Sequence, residues 1–189
     1  MAAILITLHG GNFVRGDASW DGEQTTFLAS LGFIVCQLDF PLNKLNCALD
    51  SIRHTVDKYK QTYPTLPCYA LGRSSGGYLA KVLFDEGLFS KAAYLAPVFA
   101  PMIRAEVIPT LGRESAAYFE GQQQVPGTGR WTPTHELLLL ATADQNVPPD
   151  CFTAEQLAAA KYVGPRSHGE MVKDTSPALR DCLVTFFSN

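Results

Sequence analysis

The sequence predicts an α/β fold, in which a mostly parallel sheet of about six strands lies between two layers of helices. Short, continuous apolar runs alternate along the chain with segments whose apolar residues recur at helical spacing. Apolar and polar residues do not alternate within these runs. Continuous apolar runs are typical of parallel strands that are buried on both faces. Because alternating strands and helices build right-handed βαβ units, we expect a three-layer α/β/α sandwich.

The predicted strands are short and apolar throughout. They are residues 3–8, 33–38, 66–71, 92–95, 136–142 and, as the weakest, 160–163. The predicted helices lie between and after them, at residues 20–31, 46–59, 78–86, 153–160 and 177–187. The last helix begins with Ser176 and Pro177, which are favoured at the N-cap and at the first helical position.

The length and the composition of the chain limit the classes of protein to which it can belong. The 189 residues suit one domain with a sizeable core, so we predict a single domain over residues 1–189. The formal net charge is −3, which argues against the basic surface of a nucleic-acid-binding protein. No apolar run approaches the ~20 residues that a membrane-spanning helix needs.

The cysteines indicate a reducing compartment. The chain has five of them, at positions 36, 47, 68, 151 and 182, without a CxxC pair. Cys36 and Cys68 lie within predicted strands, which favours buried reduced thiols over a disulfide framework. The apolar N-terminus lacks the basic segment of a signal peptide, so we predict a cytoplasmic protein. Neither the cysteines nor the histidines have metal-ligand spacing, and we expect no metal.

The segment 97–133 interrupts the alternation of strands and helices. It contains several prolines and no clear strand, with one helix predicted at 113–122 and a flexible loop at 121–129. A segment of this length within a compact domain is usually functional or disordered. Two interpretations remain open, namely a small cap or pocket wall, and a plain connector with one amphipathic helix.

The most specific local pattern is Gly72-Arg73-Ser74-Ser75-Gly76-Gly77, which lies between a predicted strand and a predicted helix. A G-x-S-x-G sequence in this context is typical of a nucleophile elbow, a tight turn that exposes a serine Oγ. Ser74 has a glycine two positions before it and another two positions after it. For Ser75 the first of these positions is occupied by Arg73, so Ser74 is the predicted nucleophile.

A serine nucleophile needs a base, and the base needs an orienting group. His168 follows the sixth predicted strand, at the sheet edge where sites form in parallel α/β proteins. His54 lies within a predicted helix and His135 precedes a strand, so neither is expected near the serine. Asp144 follows the fifth strand, whereas an N-cap role is more natural for Asp150.

An oxyanion needs N–H donors that already point at it. Ser75, as the residue after the nucleophile, is expected to provide one backbone N–H. The sequence His9-Gly10-Gly11-Asn12 follows the first strand, and its glycines allow a close approach of the backbone. We predict Gly10 or Gly11 as the second donor, with His9 and Asn12 beside the substrate. A plain tight turn is the alternative.

Together, these motifs resemble the α/β-hydrolase superfamily, nearest to its esterase and lipase branch with an H-G-G oxyanion motif. The matching residues are His9-Gly10-Gly11, the elbow at 72–76, Asp144 before Val147-Pro148, and His168-Gly169. The order serine, acid, histidine is that of this fold. The likeness covers nearly the whole chain. It departs from the family because the first strand already carries the H-G-G sequence, so the leading antiparallel strands are expected to be missing, and the cap is limited to 97–133.

The resemblance implies a serine hydrolase that cleaves carboxylic esters of small or medium acyl groups through an acyl-enzyme, without a cofactor. Its partner would be a small-molecule ester, and no oligomeric state is predicted. Thioester and amide hydrolysis use the same machinery, but peptidases of this fold usually carry an added domain for which the chain has no room. A non-catalytic binding protein is disfavoured because Ser74, Asp144 and His168 are all present.

Several residues are candidates for contact with the substrate. Phe13, Phe99, Met102 and Ile103 are placed to line an acyl pocket, with core packing as the alternative for each. Arg73 is next to the elbow serine, where it either contacts an anionic group of the substrate or points outward into solvent.

Overall fold

The computed structural model describes residues 2–42, 44–119 and 130–189. Within them, six strands form one sheet: β1 (Ile4–Leu8), β2 (Ile34–Leu38), β3 (Cys68–Arg73), β4 (Lys91–Leu95), β5 (Glu136–Leu140) and β6 (Lys161–Tyr162). The strand order is β2-β1-β3-β4-β5-β6, and all neighbouring strands are parallel.

The helices lie between the strands and after the last one. They are α1 (Gly22–Ser30), α2 (Leu45–Thr62), α3 (Ser75–Asp85), α4 (Pro101–Val107), α5 (Pro109–Ser115), α6 (Ala154–Ala159), α7 (His168–Val172) and α8 (Pro177–Ser188). Short 3-10 helices lie at Ala18–Asp21, Ala116–Phe119 and Pro149–Cys151. In the part of the chain that the structure describes, no helix is both long enough and apolar enough to cross a membrane.

Side chains of the strands alternate between two apolar layers. Ile4, Ile6 and Leu8 of β1 belong to a buried cluster with α2 and α3 on one face of the sheet. Leu5 belongs to a second cluster with α1 and α8 on the other face. Helices thus cover both faces of the sheet, which explains why the strand sequences are continuously apolar. The predicted three-layer sandwich around a six-stranded sheet is confirmed.

Proline begins three of the α-helices. Pro177 is the first residue of α8, which Ser176 caps as the sequence predicts. Pro101 and Pro109 likewise begin α4 and α5, because proline is compatible with the first turn, where its missing N–H has no intrahelical acceptor. The sequence predicts no helix before residue 113 in this segment, so α4 and the start of α5 were missed. The predicted helix over 113–122 is helical as far as the structure describes it, in α5 and the following 3-10 helix. The predicted loop at 121–129 lies outside the described residues.

All five cysteines lie in described parts of the chain and are free thiols. Cys36 in β2 and Cys68 in β3 are buried, as expected for strand residues. Burial raises the pKa of Cys68 to about 12 and also raises the pKa of Cys36. Both thiols are therefore unreactive core residues at neutral pH. The cytoplasmic location stays a prediction.

The sheet brings distant parts of the chain to one edge. Leu8 at the end of β1 pairs with Gly72 near the end of β3, so the loop after β1 lies beside the turn after β3. The segments after β5 and β6 leave the sheet at the same edge, because all of these strands are parallel. Sites in open α/β sheets form outside this carboxyl edge.

Candidate active site

Ser74 occupies the turn between β3 and α3, with φ 50° and ψ −119°. A non-glycine residue adopts such angles only where its surroundings hold it there. The Ser74 N–H donates to the Leu95 carbonyl at 3.0 Å, and the Ser74 carbonyl accepts from the N–H groups of Gly77 and Val98, each at 3.0 Å. This strained, hydrogen-bonded turn has the geometry of a nucleophile elbow.

Gly72 and Gly76 flank this serine at positions without room for a side chain. A Cβ on Gly72 would lie 2.6 Å from the Gly76 carbonyl oxygen, and a Cβ on Gly76 would lie 2.3 Å from the Leu8 carbonyl oxygen. Real Cβ atoms do not approach backbone atoms so closely. Helix α3 can therefore pack against β1 and β3 only because both residues are glycine.

The side chains of Ser74, His168 and Asp144 form a continuous hydrogen-bonded chain. His168 Nε2 lies 2.9 Å from Ser74 Oγ, and His168 Nδ1 lies 2.8 Å from Asp144 Oδ2. Asp144 Oδ1 accepts from the N–H groups of Asn146 at 2.8 Å and Val147 at 3.1 Å. Because an ionised carboxylate only accepts, Nδ1 of the neutral imidazole carries the proton and Nε2 accepts from the serine hydroxyl.

His168 is the first residue of α7, where the sequence predicts a loop. Ser167 caps this helix by accepting the N–H of Glu170, whose carboxylate accepts the N–H of Ser167 at 2.8 Å. Hydrogen bonds from Ser167 lower the pKa of Glu170. Met171 of the same helix is buried in the apolar cluster that includes α1 and α8. The imidazole thus stands on a capped and anchored helical turn.

The loop after β1 lies directly against the elbow. A Cβ on Gly10 would be 3.1 Å from Ser74 Cβ, so the Gly10 backbone borders Ser74. His9 is buried beneath this loop rather than lining the substrate side: its Nδ1 donates to the Gly10 carbonyl at 2.7 Å. Its ring stacks on Phe40 with a centroid distance of 4.3 Å. His9 therefore supports the loop from below.

Two elements bring backbone next to Ser74. Ser75 is the first residue of α3, and the N–H groups of the first helical turn have no intrahelical acceptor. Gly10 and Gly11 line the cleft from the loop after β1. Helix N-termini and glycine-rich loops are elements that provide N–H donors to negatively charged oxygens.

Ser74 and His168 open into a cleft of about 210 Å³. Residues from the β1 loop, from α4 and α5, and from α7 form its walls. The other lining residues are Gly10, Gly11, Asn12, Arg15, Trp20, Arg73, Arg104, Leu111, Asn146, Gly169, Val172 and Lys173.

Two of the predicted substrate contacts, Asn12 and Arg73, line this cleft. The outward, solvated position considered for Arg73 is wrong, because the residue is only 1% exposed. Its Nε donates to Gln24 Oε1 at 2.8 Å. Because Gln24 belongs to α1, the guanidinium has its polar partner within the protein rather than in water.

Four other predicted contacts do not line the cleft. Phe13 and Phe99 are buried and pack edge-on against other aromatic rings. Both residues thus follow the core-packing alternative, since large rings gain most by leaving water. Met102 and Ile103 are 58% and 42% exposed on α4, and neither borders the cleft.

Arg104 and Lys173 are among the residues of the cleft wall that the sequence does not mark. Arg104 is a single arginine in a segment without any strand pattern, so nothing local distinguishes it from a solvated side chain. Pro101 is the one signal that could have predicted a helix here, because proline is favoured at the first helical position. Such a helix would have placed Arg104 on a defined helix face.

No family model matches the sequence, and neither does any curated protein. Solved structures resemble the chain. Esterase B from Lactobacillus rhamnosis has a TM-score of 0.72 at 16% identity, over 100% of this chain and 77% of that chain. An acetyl ester-xyloside bifunctional hydrolase from Caldicellulosiruptor lactoaceticus has 0.70 at 15%, over 100% and 82%. A member of the α/β serine hydrolases without lid, from Xanthomonas campestris, has 0.63 at 15%, over 98% and 81%. The chain therefore has the α/β-hydrolase fold in a minimal, six-stranded form.

Proposed function

We propose that the protein is a serine hydrolase that cleaves carboxylic esters of small or medium acyl groups through an acyl-enzyme intermediate. One observation carries this proposal. Ser74 Oγ, the His168 imidazole and the Asp144 carboxylate are linked by hydrogen bonds of 2.9 Å and 2.8 Å. A serine hydroxyl becomes a useful nucleophile when a base accepts its proton and a third group orients that base.

In the first half of the reaction, Ser74 Oγ attacks the acyl carbon while its proton passes to His168 Nε2. Asp144 keeps the other ring proton on Nδ1 and stabilises the imidazolium that forms. The carbonyl oxygen becomes an oxyanion, which the N–H groups of Ser75 and of Gly10 or Gly11 bind. The bond to the leaving oxygen then breaks, and the imidazolium gives its proton to the departing alcohol.

In the second half, water replaces the alcohol. It loses a proton to His168 Nε2 and attacks the acyl carbon, forming a second oxyanion at the same N–H groups. The bond to Ser74 Oγ breaks, the serine recovers its proton from the imidazolium, and the carboxylic acid leaves. The same residues therefore act in both halves, with His168 alternating between base and acid.

The choice of ester is supported by the likeness to an esterase and to an acetyl ester hydrolase. Thioesters and amides react by the same steps. The cleft volume of about 210 Å³ favours small or medium acyl groups.

A fluorophosphonate probe tests the nucleophile. Its phosphorus is attacked by an activated serine Oγ, fluoride leaves, and the adduct is located by peptide mass spectrometry. We expect labelling at Ser74, none in Ser74→Ala, and retained labelling in Ser75→Ala, because Ser75 contributes only its backbone N–H. An unlabelled wild-type protein would contradict the enzyme and favour a binding role. Loss of labelling in Ser75→Ala alone would make Ser75 the nucleophile.

A series of 4-nitrophenyl esters from acetate to dodecanoate tests the substrate class. Turnover should be highest for the short acyl groups, and Ser74→Ala should lower kcat by about 10⁴-fold or more. If Ser74 is labelled but no ester is turned over, the proposed substrate would change from an ester to a thioester or an amide.

A further inference from the structure

Arg104 of α4 is a buried cation in the wall of the catalytic cleft. It is 2% exposed, and it lines the same cleft as Ser74. Its Nη2 donates to Asn12 Oδ1, whereas its buried Nε has no hydrogen-bond partner among the residues described. A guanidinium carries several N–H donors, and a buried donor without an acceptor is unfavourable.

No described carboxylate pairs with this guanidinium. Glu114, which belongs to the same network, instead accepts from the Asn12 amide at 2.6 Å and from Arg15. Burial lowers the pKa of Arg104, while the proximity of Cys151, Glu114 and Asp144 acts in the opposite direction. Arginine nevertheless stays protonated in proteins, so a positive charge without an ion-pair partner among the described residues lies beside the cleft.

The charges of the cleft wall have one sign. Among its described lining residues are Arg15, Arg73, Arg104 and Lys173, and none of them is acidic. Arg15 is paired with Glu114, and Arg73 is held within the protein. Lys173 is exposed at the rim, where it adds to the positive field inside the cleft.

We propose that the substrate carries a carboxylate that binds Arg104, so that the protein acts on half-esters of dicarboxylic acids. This inference rests on the proposed function and names its substrate class. A carboxylate supplies the acceptors that the described protein groups do not, and it matches the planar guanidinium by accepting parallel hydrogen bonds. Because Arg104 and Ser74 line one small cleft, a short acyl chain separates the carboxylate from the ester carbonyl.

Two esters that differ only in charge test the inference. They are mono-4-nitrophenyl adipate and its neutral counterpart, methyl 4-nitrophenyl adipate, with release of 4-nitrophenol as the readout. We expect kcat/KM of the wild-type protein to be about 10- to 100-fold higher for the anionic ester. This preference should shrink as salt is added. Half-esters of glutarate and suberate, each with its methyl ester, extend the comparison to other chain lengths.

Substitutions assign the preference to Arg104. In Arg104→Gln the ratio of kcat/KM between the anionic and the neutral ester should fall towards one, and Arg104→Lys should retain part of it. Arg113→Gln is the matched control, because Arg113 is exposed on α5 outside the cleft. A purely structural role of Arg104, through Asn12, would slow both esters equally and leave the ratio unchanged.

The outcomes separate the two proposals. Equal or faster hydrolysis of the neutral ester at every chain length would overturn the carboxylate site while leaving the serine hydrolase intact. An unchanged ratio in Arg104→Gln would also overturn it. The wild-type comparison holds even if a variant fails to fold. Absence of turnover and of fluorophosphonate labelling would instead overturn the proposed function.

Discussion

Ser74 and His168 meet in one cleft, but different kinds of contact hold them. Ser74 is held by main-chain hydrogen bonds and by the close packing of α3 on the sheet. His168 is held by side chains, with Asp144 bonded to its ring and the Ser167–Glu170 capping box at the start of its helix.

The positions of the two strands in the sheet explain this difference. β3 is central, and all of its residues are buried, so packing from both sides positions its carboxyl end. β6 is an edge strand of two residues, both exposed. The strand itself therefore gives little packing to the segment after it, where the buried Met171 and a set of polar side chains supply the restraint. Substitutions that add side-chain volume should therefore disturb the turn at Ser74 most. Substitutions that remove polar groups should disturb the segment around His168 most.

Replacing Asp144 by asparagine should have the largest effect, on activity rather than on stability. The asparagine oxygen can still accept the N–H groups of Asn146 and Val147, but its amide now faces His168 Nδ1 and favours the wrong tautomer. We expect kcat to fall by about 10⁴-fold, with little change in the midpoint of thermal unfolding. Asp150→Asn is the control, because Asp150 is exposed in a 3-10 helix. Near-normal activity of Asp144→Asn would remove Asp144 from the proposed triad.

Gly76→Ala tests the close packing at the elbow. The added Cβ would lie 2.3 Å from the Leu8 carbonyl oxygen, and backbone cannot move aside as a flexible side chain can. We expect the free energy of unfolding to fall by about 3 kcal/mol, as measured by urea denaturation. Gly22→Ala is the matched control, since nothing lies within 4 Å of its Cβ position; it should change stability by less than about 1 kcal/mol. Similar losses in both variants would contradict a sterically held nucleophile.

Glu170→Gln tests the polar restraint at His168 and should have the smallest effect. Hydrogen bonds from Ser167 lower the pKa of Glu170 in the folded protein. Its carboxylate therefore stabilises the fold above the unfolded-state pKa of about 4.3, and this contribution is lost as the pH falls through the lower folded-state pKa. Urea denaturation should show the variant less stable than wild type at neutral pH, with the two converging below about pH 4.

The capping box of α6 provides the control for this titration. It is built from Thr153 and Gln156, which do not ionise in this range. The stability loss in Gln156→Ala should accordingly be the same at neutral and acidic pH. If the stability difference between wild type and Glu170→Gln is also independent of pH, the charged capping box at α7 would be contradicted.

Local patterns were sufficient to predict the strands and the residues that follow them. Ser74, Asp144 and His168 were selected because each follows a strand, and parallel strands end at one edge of the sheet. The resulting contacts join residues 94 and 24 positions apart. Their proximity was therefore a consequence of the fold class, which the alternation of strands and helices predicts.

Contacts of the loop after β1 could not be predicted from the sequence. Arg104 and Asn12 lie 92 positions apart, and neither follows a repeating pattern that would bring the two together. Phe13 follows the predicted oxyanion loop, yet its backbone, with φ 68°, places the ring in the core. Such outcomes depend on which way each loop turns after leaving its strand.

By itself, the sequence determined the fold class, the glycine-flanked serine and the order of the three polar residues, because apolar periodicity and tight turns are local properties of the chain. The tertiary structure alone decided the strand order, the support of the loop after β1 by His9 and the buried charge of Arg104 at the cleft wall. These depend on contacts between segments distant in sequence, whose energies arise only once the layers pack together.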